Sequence, residues 1–151
     1  MNAHTSNLDV ASTVNGVAVE FLPQGTDGTV PSGNVEPLLH EIVHALEALA
    51  RDGATAIIDL EAMPLAPGEA DRIRAVLGEG EVRCTLSALG ESSVAETGIP
   101  GVWWIEHHNA EGILMSRFIE VTRIPSILLT APEDLTEAAT VLRARMDEDT
   151  G

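Results

Sequence analysis

The chain has no lysine, one cysteine, only two phenylalanines and two tryptophans, and no long apolar run. Each shortage removes a class of function. The eight basic residues, all arginines, stand against 24 acidic ones, for a formal net charge of −16. Phosphate neutralisation needs a basic face, so a nucleic-acid partner is disfavoured. An anionic membrane is disfavoured on the same ground, and a basic peptide or protein surface is the electrostatically natural partner.

Cys84, alone, can neither close an internal disulfide nor supply a multi-cysteine metal site. Direct carriage of an iron–sulfur cluster, which takes several thiolates, is disfavoured as well. The N-terminus Met1–Val10 has no basic region and no apolar core, and no later run approaches about 18 apolar residues, so the expected location is the cytoplasm. Neither a G-x-S-x-G elbow nor a P-loop is present. Leu77-Gly78-Glu79-Gly80 follows a helical pattern and lacks the third glycine of a dinucleotide loop, so it is a helix stop and turn, and no cofactor is expected.

A chain of 151 residues can bury roughly 70% of its unfolded surface in one core. Residues 1–33, rich in Ser, Thr, Asn, Gly and Pro, suggest a loose arm with at most a short edge strand around Val17, Val19 and Phe21. From Pro37 to Arg51, Leu38, Leu39, Ile42, Leu46 and Leu49 recur at helical steps, and Gly53 ends the pattern. Ala54 to Leu60 has the near-continuous apolar character of a strand covered on both sides. Pro67-Gly68-Glu69 opens a second helix with Ala70, Ile73, Val76 and Leu77 on one face.

Val82, Cys84 and Leu86 alternate with polar neighbours as in a half-buried strand, which points Cys84 inward. A weaker strand over Ser92 to Thr97 precedes the clearest hairpin, Val102 to His107 and Ile113 to Thr122, joined through Asn109-Ala110-Glu111-Gly112. Pro132, Glu133 and Asp134 start a last helix whose face is Leu135, Ala138, Ala139, Leu142 and Met146. The expected fold is α/β of the α+β type, a mixed and largely antiparallel sheet with about three helices packed on it. A domain over 34–147 would then leave 148–151 as a disordered tail.

Two segments could carry chemistry. His40-Glu41-Ile42-Val43-His44 fits the H-E-x-x-H pattern, in which two histidines one turn apart bind zinc and the glutamate acts as base. That is the alternative function, a zinc-dependent hydrolase with His40 and His44 as metal ligands. The extended motif fails, because Glu47 and Ala50 stand where Gly and a further His belong, leaving Asp59 or Glu61 as third ligand only if the chain folds back. At about 100° per residue, His40, His44 and Glu47 lie opposite the leucine stripe and should face water. The second segment is the hairpin. Trp103 and Trp104 must point to opposite sheet faces, so with Trp103 inward, Trp104 joins Glu106 outside unless a helix covers it. Trp104, Glu106, His107 and His108 are therefore the expected partner-interface residues, although the histidines also suit a polar turn.

The segments Leu38-Leu39-His40-Glu41-Ile42, Ile58-Asp59-Leu60, Leu77-Gly78-Glu79-Gly80-Glu81-Val82, Gly98-Ile99-Pro100-Gly101-Val102-Trp103-Trp104, Phe118-Ile119-Glu120-Val121 and Ala131-Pro132-Glu133-Asp134-Leu135 occur in this order. Together they resemble the conserved C-terminal region of the HupH/HyaF hydrogenase expression proteins, over about residues 34 to 146. The resemblance implies an accessory role in maturing nickel–iron hydrogenase, with the iron–sulfur small-subunit precursor or another maturation protein as partner, and no enzymatic activity. It also implies that full-length relatives can carry two related copies, whereas this chain has room for one, which leaves a homodimer open. Small-subunit precursors of this class carry a twin-arginine signal, which an acidic surface could hold.

Overall fold

The computed structural model describes residues 30–149 together with two short strands, β1 (Thr13–Val14) and β2 (Val17–Ala18). The chain divides into two units, Met1–Val30 and Pro31–Gly151. In the first, β1 and β2 pair antiparallel. Val19 and Phe21 of the expected edge strand, and Thr150 and Gly151 of the expected tail, lie outside the described residues.

The second unit runs α1 (Val35–Asp52), β3 (Ala56–Asp59), α2 (Glu69–Leu77), β4 (Arg83–Ser87), β5 (Glu91–Glu96), β6 (Val102–His108), β7 (Leu114–Val121), a 3-10 turn (Ser126–Leu128) and α3 (Pro132–Asp149). Strands β3 to β7 form a five-stranded sheet in the order β3-β7-β6-β5-β4, with every pairing antiparallel. Four successive reversals make the two edge strands β3 and β4 parallel to each other. A single hairpin cannot join parallel strands, so the chain crosses from one edge to the other through α2. From β4 it returns strand by strand to β7, beside β3.

Helices α1 and α2 cover one face of this sheet. Val35, Leu38 and Ile42 of α1 and Ile73 and Leu77 of α2 meet Ile58, Val102, Trp104, Ile119 and Val121 in the main core. Each fully buried aliphatic side chain there contributes about 1.5–3 kcal/mol relative to exposure. The helix stops as its sequence dictates: Gly53, at φ 76°, donates its N–H to the Leu49 carbonyl at 3.0 Å. On the opposite face a smaller cluster of Val94, Trp103 and Ile105 packs with Cys84, Leu86, Phe118 and Leu128, so Cys84 turns inward as its alternation required. The segment at Ser92 to Thr97 is strand β5, paired on both sides.

The structure departs from the periodicity in two elements. Strand β3 is not covered on both faces: it is a sheet edge on which Ile58 is 6% exposed and Ile57 65%. An apolar run reports hydrophobicity, and here only the face under α1 and α2 receives a cover. Helix α3 forms where expected and continues through Glu148 and Asp149, since no Gly or Pro interrupts it before Gly151. None of its residues is buried.

One carboxylate ties the start of α1 to the start of α2. Glu69, 7% exposed, accepts the Ser32 N–H at 2.9 Å, the Ser32 hydroxyl, and the Ala66 N–H at 2.8 Å. The Ser32 hydroxyl bond is the main reason its pKa lies below the usual carboxylate value; burial opposes the shift, and the backbone bonds and Arg72 reinforce it. A depressed folded-state pKa contributes stability that is present above the unfolded pKa and is lost as pH falls through the folded one. Glu69→Gln is therefore expected to be less stable than the parent at neutral pH. The two stabilities, from urea unfolding at stepped pH, should converge below the ordinary Glu pKa of about 4.3. A gap that persists unchanged into acid would assign the loss to packing instead.

Candidate functional site

Strand β6 carries all four expected interface residues, and the pleat separates them. Register places Trp104 opposite Ala95 and Ile119, and Glu106 opposite Ser93 and Arg117, on the helix-covered face. His107, opposite Ser92 and Ser116, lies on the other. Trp104 is 1% exposed and belongs to the main core. Its expected surface position is thus corrected. The pleat did send it away from Trp103, but the helix layer is packed over that side.

The polar edge of Trp104 organises a charged cluster. Its indole N–H donates to Glu106 Oε1 at 2.9 Å, and Arg117 Nε donates to the same oxygen at 3.0 Å. Arg117 also approaches Glu61 at 3.9 Å. The guanidinium carbons of Arg74 and Arg117 stand 5.0 and 5.7 Å from the Trp104 ring centroid, within the range of cation–π attraction. Burial works against ionising Glu106, but bonds from Trp104 and Arg117, with the charges of Arg117 and Arg74, hold its pKa below the usual value. Two of the chain's eight arginines are therefore committed to one buried ring. Periodicity could not announce this: Arg74 lies on α2 and Arg117 on β7, and only the crossover brings them together.

On the opposite face His107 Nδ1 lies 2.7 Å from the Ser92 hydroxyl, and its ring meets Phe118 edge-on at 5.9 Å. The β6–β7 register shifts between His107 and His108, and His108 Nδ1 is buried without a hydrogen-bond partner among the described residues. Beyond the shift the Asn109 side-chain carbonyl accepts the N–H groups of Glu111 and Ile113 at 3.0 and 2.9 Å, closing the turn. The four residues consequently do not share one surface.

His40, Glu41 and His44 are all exposed on α1. His40 Nδ1 donates to the Glu36 carbonyl at 2.9 Å. Both carboxylates considered as a third ligand are engaged elsewhere: Asp59 Oδ1 accepts the N–H groups of Glu61 and Ala62 at 2.9 and 3.2 Å, and Glu61 faces Arg117. Among the described residues, no three or more His, Cys, Asp or Glu side chains gather so as to hold a metal ion. The hydrolase alternative gains no support from this arrangement. No helix among the described residues is long and apolar enough to cross a membrane.

The family described as HupH hydrogenase expression protein, C-terminal conserved region, matches residues 33–148. The chain is 34% identical over 142 residues to hydrogenase expression/formation protein HupH of Rhizobium leguminosarum bv. viciae, covering 90% of this chain and 50% of that protein. It is 32% identical over 123 residues to hydrogenase expression/formation protein HoxQ of Azotobacter vinelandii, covering 77% and 42%. It thus spans about half the length of the curated relatives it matches. Among solved structures, hydrogenase expression protein HupH from Thiobacillus denitrificans is similar with a TM-score of 0.75 and 44% identity, over 79% of this chain and 99% of that one. Both the folded body and its segments are accordingly those of known relatives, and the chain belongs to the HupH hydrogenase expression protein family, whose C-terminal conserved region it carries.

Proposed function

We propose that the chain is an accessory protein for the maturation of nickel–iron hydrogenase. It acts in the cytoplasm by binding the iron–sulfur small-subunit precursor or another maturation protein, and it catalyses no reaction of its own. The observation that carries this reading is the family match across residues 33–148, together with relatives whose names place them in hydrogenase expression and formation. The net charge of −16 supports a partner with a basic segment, the twin-arginine signal of the precursor being the natural one.

Affinity capture of the tagged chain from cells induced for the hydrogenase is expected to recover the small-subunit precursor or a maturation protein. Recovery of neither under any inducing condition overturns the reading. Because exposed charges steer encounter through a field that salt screens, the association rate with the precursor should fall as ionic strength rises and on removal of the signal. Insensitivity to both would refute the electrostatic component while leaving capture itself as evidence for the partner.

A further inference from the structure

The antiparallel sheet ends at β3 in an edge that no other described strand pairs with. Just past the strand, the Leu60 N–H donates to the Arg117 carbonyl at 2.9 Å. Ladder bonds in an antiparallel pair alternate along each strand, so Leu60, Ile58 and Ala56 turn their backbone groups toward β7. The N–H and C=O groups of Ile57 and Asp59 therefore point away from the sheet. Such a row of unpaired groups is a template for one further strand. Lysine, proline and bulges guard many natural edges, and β3 contains none of them.

Side-chain chemistry selects the strand that fits. Ile57, 65% exposed, and Asp59, also exposed, lie on the sheet face away from α1 and α2, since Ile58 between them belongs to the main core. Asp59 Oδ1 accepts the N–H groups of Glu61 and Ala62, and no described cation pairs with the carboxylate. The outer edge thus offers an apolar contact and an unneutralised acid two residues apart on one face. The other edge is different. On β4 the Glu96 N–H donates to the Val82 carbonyl, so Arg83, Thr85 and Ser87 turn their backbone outward, and the charge among them is a cation already paired with Glu79. A second copy of this chain also fits β3 poorly. Antiparallel pairing centred on Ile57 would set Asp59 against a threonine and bring up a second charge of −16.

We infer that the outer edge of β3 is a strand-addition site for an extended basic segment of a partner protein, paired antiparallel, with an apolar side chain beside Ile57 and an arginine or lysine beside Asp59. The inference rests on the basic partner of the proposed function. Its test contains no hydrogenase protein, so its failure and failed capture from cells are separate results. A fluorescein-labelled peptide of repeated Arg-Thr-Val-Thr should bind the full 151-residue chain saturably in fluorescence anisotropy, and the same peptide with Glu for Arg should not. Ile57→Pro should leave the sheet folded, because the amide that it removes points outward, and should weaken binding by about tenfold or more. Asp59→Asn should weaken it by about threefold and flatten its salt dependence. With the parent protein, N-methylation of the peptide's Arg and Val amides should abolish binding, whereas N-methylation of its Thr amides should be tolerated, since only the former face β3 in this register. Absence of saturable binding overturns the inference. So does equal binding of the two N-methylated peptides, or a folded Ile57→Pro variant that binds as the parent does. A dimer of the parent chain that Ile57→Pro converts to monomer would give the edge to a second copy and overturn it as well.

Discussion

Replacing Trp104 by alanine is expected to destabilise the protein by about 3–5 kcal/mol, the range for emptying a large aromatic site in a packed core. The ring is 1% exposed, sits among residues of both helices and three strands, and carries three further interactions at its rim. Its loss takes the indole donor from Glu106 and the aromatic surface from Arg74 and Arg117. A half-buried carboxylate that loses one of its donors adds some desolvation cost to the cavity. Urea unfolding with a size-matched probe of tertiary structure measures the loss. A surface contact residue would behave otherwise, with stability changed by less than about 0.5 kcal/mol and only partner capture affected. That outcome would contradict the packing described for α1 and α2 over β6.

Gly90→Ala should have the next largest effect. Gly90 joins β4 to β5 at φ 150°, where an L side chain is strained, and an added Cβ would stand 2.1 Å from the His108 carbonyl oxygen. That atom is backbone at the β6–β7 irregularity and cannot swing aside as a flexible side chain would. The unfavourable conformation alone costs about 1–3 kcal/mol, and relieving the contact requires the end of β6 to shift as well. Gly112→Ala is the matched comparison. It has φ 78° but nothing within 4 Å of the added carbon, so it should cost only the left-handed conformation, about 1–2 kcal/mol. Thermal unfolding of both variants ranks them. If Gly112→Ala proves the worse of the two, the close approach of the β4–β5 turn to His108 is refuted.

Much of the fold was legible along the chain because each element advertises its own period. The leucine steps of α1, its Gly53 stop, the alternation around Cys84 and the Asn109–Gly112 turn depend on residues within a few positions of one another. The opposition of Trp103 and Trp104 was equally local, being a property of the pleat. The candidate site was less legible. Periodicity says which side of an element is apolar, not which other element covers it. Trp104 was assigned to a surface that α1 and α2 occupy, and β3 was given two covers where the sheet ends after one. Arg74, Arg117 and Glu106 converge on Trp104 from α2, β7 and β6, a meeting with no signature in any one stretch of sequence.

The sequence by itself determined the order of elements, the solvent position of His40 and His44, and the ordered segments that mark the family, all consequences of local spacing and residue identity. Tertiary structure alone decided that Trp104 is a core residue and that Glu69 fastens the two helix starts through Ser32. It alone showed that no residue of α3 is buried. The physical reason is one of range. Backbone period and turn chemistry act over a few residues, whereas burial and ion pairing depend on the crossover that carries α2 from one sheet edge to the other.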